Sequence, residues 1–219
     1  MERPVFLRLD QAVHSLIIAD GMGGQARGGL ASRTAVEALI GDATPLGSVA
    51  DCVKAVRAAN DRIYDVMQSV PDSRGMGTTI AGTVISESSL ICFNVGDSRV
   101  YRFIAPRLVR LSRDDVPASE QNSIRATHFI TQCLGGHDMP TPVEPHVRAF
   151  SPLQPNEFLM LCSDGLSDLV TETDIAKTLE NHGGPLKVVH RLFQLAMQAG
   201  GSDNISIIVA RPVPQTSQS

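Results

Sequence analysis

The sequence predicts an α+β fold in which two stacked antiparallel sheets carry a pair of helices on each outer face. Three observations predict it. Helical periodicity occurs in two pairs, 27–41 with 48–69 and 172–181 with 185–199. Between the pairs lie short runs rich in Thr, Val, Ile and Phe, joined by turns. Helices grouped in pairs beside runs of strands argue for sheets with helices on their faces, not for single helices alternating with parallel strands.

Each element has a local reason. Residues 13–19 are an apolar run entering a glycine-rich turn, hence a buried strand. In 27–41 the apolar positions Leu30, Ala31, Ala35, Val36, Leu39 and Ile40 recur at helical spacing. Ser48 is the expected N-cap of the next helix, whose stripe is Val49, Val53, Val56, Ile63 and Met67. A breaker run, Pro71-Asp72-Ser73-Arg74-Gly75, ends it. Segments 78–86, 89–95, 99–104 and 107–111 follow and are expected to form an antiparallel meander; 112–127 is polar and expected to be loop. Further strands are expected at 128–134, 145–149, 157–163 and 205–210. In the last helix Val189, Leu192, Phe193 and Ala196 share one face.

The chain has 219 residues and 42% hydrophobic content, enough for one large core. No long linker or internal repeat divides it, so 1–211 is expected to be one domain and 212–219 a polar tail. Net charge is −4 with no Lys/Arg cluster, which argues against nucleic acid as the main partner. No apolar run is long enough to span a bilayer, and no signal-peptide pattern is seen. Cys52, Cys92, Cys133 and Cys162 are widely spaced and form no zinc-like pattern, which suits a reducing cytoplasm. The six histidines are scattered and none is assigned a catalytic role.

Three aspartates stand at the edges of apolar runs: Asp20 after Leu16-Ile17-Ile18-Ala19, Asp164 after Phe158-Leu159-Met160-Leu161-Cys162-Ser163, and Asp203 just before Ile205-Ser206-Ile207-Ile208-Val209. Any one alone reads most simply as turn chemistry. Together they can bring three carboxylates to one rim of the core, where a bound cation offsets their desolvation.

Six segments then resemble, in order, the motifs of the metal-dependent Ser/Thr protein phosphatases of type 2C, in their bacterial form. They are Ala19-Asp20-Gly21-Met22-Gly23-Gly24, Gly75-Met76-Gly77-Thr78-Thr79, Val95-Gly96-Asp97-Ser98-Arg99-Val100-Tyr101, Leu111-Ser112-Arg113-Asp114, Cys162-Ser163-Asp164-Gly165-Leu166 and Gly200-Gly201-Ser202-Asp203-Asn204. The resemblance implies a four-layer αββα sandwich and two Mn²⁺ or Mg²⁺ ions, with a third, weaker ion in many bacterial members. It implies that Asp20 bridges both ions, that the Gly21 carbonyl binds one, and that Asp164 and Asp203 bind the other. Asp114 and Asp164 match the ligands of the third. It further implies direct attack of a metal-activated water on the phosphorus of phosphoserine or phosphothreonine in protein substrates of a Ser/Thr kinase. Hard oxygen ligands suit these ions.

The chain departs from the family pattern in places. The family's first strand, with its phosphate-gripping Arg and an Asn-Glu-Asp segment, is expected to be incomplete, leaving Glu2 as the nearest stand-in for a metal-binding acid. Gln25 and Gln132 stand where His and Arg are common. Residues 75–79 are read as a turn entering a strand, Asp97 and Arg99 as local turn support or an indirect part of the site, and Asp168 as support for the turn or helix that follows Asp164. The competing expectation is a pseudophosphatase, a module that binds phosphoprotein with weak or no turnover.

Overall fold

The computed structural model describes residues 7, 13–22, 25–41, 46–117, 129–181 and 183–212. In chain order the elements are β1 (Val13–Ile18), β2 (Gly21–Met22), α1 (Gln25–Gly41), α2 (Val49–Ser69), β3 (Gly77–Thr78), β4 (Ile80–Ser86), β5 (Leu90–Val95) and β6 (Arg99–Ile104). Then follow β7 (Arg107–Arg110), β8 (Leu134–Gly135), β9 (His146–Phe150), β10 (Phe158–Cys162), α3 (Asp164–Ser167), α4 (Glu172–Asn181), α5 (Pro185–Gln198) and β11 (Ile207–Ala210).

Two four-stranded antiparallel sheets, ordered β1-β4-β5-β9 and β11-β10-β6-β7, form the inner layers. The alternation of side chains along each strand assigns the layers. On β5, Ile91, Phe93 and Val95 join a core with Ala35 and Leu39 of α1 and Val56, Ala59 and Ile63 of α2. Leu90 and Cys92, on the opposite face, meet Val100, Leu159 and Leu161 of the second sheet. On β10, Phe158, Met160 and Cys162 face Ile175, Leu179, Val188, Leu192 and Ala196 of α4 and α5. Three apolar layers between four structural layers are the expected sandwich.

The pairs of helices form as their sequences dictate. The Ser48 hydroxyl accepts from the Asp51 N–H at 3.2 Å and caps α2. Pro185 opens α5, where its missing N–H costs nothing. Cys92 and Cys162 are buried core residues, as expected, and burial pushes both thiols up to about 12.

Several details differ from the sequence expectation. The strands at 78–111 are not one meander: β4 and β5 belong to the first sheet, β6 and β7 to the second. The chain changes sheet at 96–98, where Gly96 takes φ +97 and sits so near Thr79 that a Cβ would lie 2.7 Å from its methyl group. Of the strand expected at 128–134, residue 128 lies outside the described residues and only Leu134 enters a strand, β8; Phe129 is 73% exposed, the Thr131 N–H is drawn to the Asp115 carbonyl at 2.7 Å, and the Gln132 side chain bonds the Glu144 backbone. A small third sheet, β2-β3-β8, was not expected from two-residue runs too short to show a period. In α5 the innermost side chain is Val188 rather than Val189, one position round the helix. Val49 of α2 is exposed at the first turn.

An ion pair lies between the sheets. Arg102 points inward from β6, its Nε donating to Glu157 Oε2 at 2.9 Å and its Nη atoms reaching the Ser151 and Pro152 carbonyls, each at 2.9 Å. Only a fully bonded guanidinium is tolerable at such a depth.

Candidate active site

Asp20 leaves the end of β1 and is held by its own backbone. Its N–H donates to Thr79 Oγ1 at 3.2 Å; its carbonyl accepts from the Thr79 N–H and the Thr78 hydroxyl, each at 2.8 Å. The stretch 75–79 thus does more than enter a strand: its two threonines fix the Asp20 main chain. Immediately beyond, Gly21 lies against Gly28 in the first turns of α1. A Cβ on Gly28 would stand 2.5 Å from the Gly21 oxygen, and one on Gly21 would collide with the Gly28 carbonyl. Glycine at both positions lets helix and turn touch.

Asp164 and Asp203 are tied together from the other side. Asp164 opens the short helix α3, directly after Ser163. The Ser163 hydroxyl leaves α3 uncapped and instead accepts from the Ser206 N–H at 3.0 Å and donates to the Asn204 carbonyl at 3.3 Å. That loop carries Asp203, whose Oδ1 accepts from the Asn204 N–H at 2.7 Å. Asp168, expected to support the local turn, closes α3 through its N–H to the Asp164 carbonyl at 2.9 Å.

The sheet-changing turn brings a fourth acid, Asp97. Ser98 beside it shares a hydrogen bond of 2.7 Å with Thr79 Oγ1, the hydroxyl that also accepts from the Asp20 N–H. One threonine therefore links the loops of Asp20 and Asp97. The Gly-Asp-Ser-Arg run carried this signal in the sequence, but nothing there distinguished turn support from a charge in the site.

The electrostatics show the convergence. Burial, then the charge of Asp164, a hydrogen bond to it and the charges of Asp203 and Asp97, hold the Asp20 carboxyl up at about 7. Burial and then Asp164 hold Asp97 up at about 7 as well. Asp20, Asp97 and Asp164 are half-buried, whereas Asp203 is exposed at the rim. Among the described residues no three acidic, His or Cys side chains stand close enough together, as placed, to hold an ion. The donor set nevertheless fits a hard divalent cation. It is all oxygen, it is mutually repulsive, and Asp164 Oδ1 is buried with no hydrogen-bond partner.

Asp114 differs from the other candidates. Its Oδ2 accepts from Arg99 Nε at 2.9 Å and pairs with Arg99 Nη2 and Arg110 Nη1, each at 2.8 Å. Its Oδ1 is buried and without a partner. Two guanidiniums on one carboxylate leave a local charge of +1, which suits at most a weakly held third ion. Gln132, where the family commonly has Arg, bonds Asp115 and the Glu144 backbone. Glu2, Gly23 and Gly24 lie outside the described residues.

The comparisons with known proteins bear on the family and the fold. The family model described as protein phosphatase 2C matches residues 5–199. The Ser/Thr protein phosphatase PstP of Mycobacterium tuberculosis is 34% identical in an alignment 210 positions long that covers 89% of this chain and 40% of that protein, so the chain spans well under half of it. The Ser/Thr phosphatase stp of Listeria monocytogenes is 29% identical, covering 89% of this chain and 82% of that one. The PstP catalytic domain, solved with two manganese ions, superposes with a TM-score of 0.75 at 31% identity, covering 96% of this chain and 94% of that chain. The chain belongs to the protein phosphatase 2C family.

Proposed function

We propose that this chain removes phosphate from phosphoserine and phosphothreonine in proteins, with Mn²⁺ or Mg²⁺ as cofactor. The observation that carries the reading is that Asp20, Asp97, Asp164 and Asp203 come from four separate segments, and that burial first and then the charges of the other three lift Asp20 to about 7. A fold keeps such an acid cluster when a cation resolves the repulsion. We assign Asp20, the Gly21 carbonyl, Asp164 and Asp203 as the groups that would hold the two principal ions, and the free oxygens of Asp114 and Asp164 as those that would hold a weaker third.

When bound, two such ions lower the pKa of a water and stabilise charge on the attacking and leaving oxygens. The protein's part is to place the donors. Thr78 and Thr79 fix the Asp20 backbone, Ser163 joins the Asp164 and Asp203 loops, and the contact of Gly28 with Gly21 sets the turn that carries the Gly21 carbonyl. Asp203 at the exposed rim marks the side open to a phosphorylated side chain. Protein substrates of a Ser/Thr kinase are the inferred class. Four free cysteines suit the cytoplasm. Among the described residues no helix is long and apolar enough to cross a membrane. The domain is proposed to run to about residue 211.

The test is phosphate release from a phosphothreonine peptide after chelation and Mn²⁺ readdition. Activity should disappear in chelator and return with the ion. Undiminished hydrolysis in excess chelator contradicts the proposal; tight peptide binding without turnover favours a binding module.

A further inference from the structure

A cavity of about 350 Å³ opens where the end of α2 meets the start of α1. Met67, Val70 and Pro71 give it an apolar wall, and Arg27, Arg74 and Asp72 bring charge to it. The turn that carries Gly21 sets its position. Arg27 directly precedes Gly28, the residue packed on Gly21. Arg74 lies shortly before Gly77, which pairs with Met22 across β2 and β3. Both guanidiniums therefore belong to segments that flank the chain as it leaves Asp20. Neither has a structural task that accounts for it. A helix C-terminus attracts cations to its free carbonyls. Here the Asp65, Val66 and Val70 carbonyls already accept from the Ser69 and Ser73 hydroxyls and the Val70 N–H. Arg27 and Arg74 are exposed, and among the described residues neither makes an ion pair or a hydrogen bond. The lining residues thus carry two cations and one anion, Asp72, and present a net positive charge beside a site whose own carboxylates are negative.

Two guanidiniums beside an apolar wall suit an anionic side chain. Their planar forks match a carboxylate or a phosphate, and the wall covers the stem that carries it. We propose that this cavity is a specificity subsite for an anionic residue, carboxylate or second phosphate, that flanks the phosphorylated residue of the substrate. The proposal rests on the phosphatase reading above and names a class of substrate within it. An extended peptide advances about 3.3 Å per residue, so a side chain a few residues from the scissile phosphate covers the step from the Gly21 turn to the neighbouring cavity.

The test compares phosphothreonine peptides of three kinds: with neutral flanks, with glutamates on both flanks, and with a non-hydrolysable phosphonate analogue of phosphoserine on both flanks. Equilibrium binding by fluorescence anisotropy and steady-state hydrolysis at saturating Mn²⁺ are measured on each, with a small aryl phosphate as the control that has no flank to place in the cavity. The wild type should bind the anionic peptides about fivefold or more tightly than the neutral one, and hydrolyse them with a correspondingly lower KM. The larger gain of the two identifies carboxylate or phosphate as the preferred occupant. Arg27→Gln and Arg74→Gln should each remove most of the gain, and Arg74→Glu should turn it into a penalty. Turnover of the aryl phosphate and the KM of the neutral peptide should stay unchanged in all three variants. Equal affinity of the wild type for the three peptides overturns the proposal, and so does a preference that survives both glutamine substitutions. Hydrolysis of the neutral peptide in either case leaves the phosphatase reading intact. A wild type that binds the anionic peptides through Arg27 and Arg74 but hydrolyses none supports the subsite and overturns the phosphatase activity.

Discussion

Replacing Asp20 by Asn should stabilise the metal-free protein while disabling it. The Asp20 carboxyl rises from 3.8 to about 7, first through burial and then through Asp164. At 1.36 kcal/mol per pH unit, keeping it ionised at pH 8 costs about 4 kcal/mol. The side chain is only half-buried, so screening by water reduces the cost to about 2 kcal/mol. An amide of the same shape sheds that cost. For a domain of this size about 2 kcal/mol corresponds to a rise in Tm of roughly 4–8 °C. The assay is a pair of thermal melts by circular dichroism, wild type and Asp20→Asn, at pH 8 in excess chelator. With saturating Mn²⁺ the order should reverse, because only the wild type gains strongly from the ion. An Asn variant that melts with or below the wild type in chelator refutes the reasoning that an ionised Asp20, buried beside Asp164, is costly to the metal-free fold.

Three further outcomes follow. Because the folded-state carboxyls of Asp20 and Asp97 titrate near 7, above the unfolded value of 3.8, their stabilising effect is complete below about pH 4 and is lost as pH rises through 7; the chelated protein should therefore melt higher at pH 5.5 than at pH 8, and a flat profile contradicts this. Gly28→Ala should weaken Mn²⁺ binding about fivefold or more by displacing the Gly21 carbonyl, whereas Gly29→Ala, with open space around its Cβ, should leave affinity unchanged; calorimetry on the two decides. Arg102→Ala strands Glu157 between the sheets and should cost about 3–5 kcal/mol in urea denaturation, and a loss under about 1 kcal/mol would show the pair to be dispensable.

The sandwich was legible because each buried strand and helix carries its period on its surface. Leu159 and Leu161 face one way, Met160 and Cys162 the other, and the stripes of α2 and α5 needed only small rotations. The change of sheet at Gly96 was not legible. A meander within one sheet and a crossing between two share the same strand lengths and turn residues, and only packing against Thr79 distinguishes them. Asp20, Asp164 and Asp203 stood out because apolar runs flank them. Asp97 lies in an ordinary turn and becomes noteworthy only when Asp164 arrives from residues far along the chain. The Arg99 partner of Asp114 was equally hidden, since it reaches the carboxylate from the other strand of the β6–β7 hairpin.

The central claim is that carboxylates from distant segments hold the catalytic ions together. Calorimetric titration of the metal-free chain with Mn²⁺, repeated with Asp164→Asn and Asp203→Asn, tests it most directly. The account predicts at least two ions per wild-type chain, and for each variant either a lost ion or affinity weaker by about tenfold or more. A wild type that takes up no Mn²⁺, or variants that bind it as the wild type does, would contradict it.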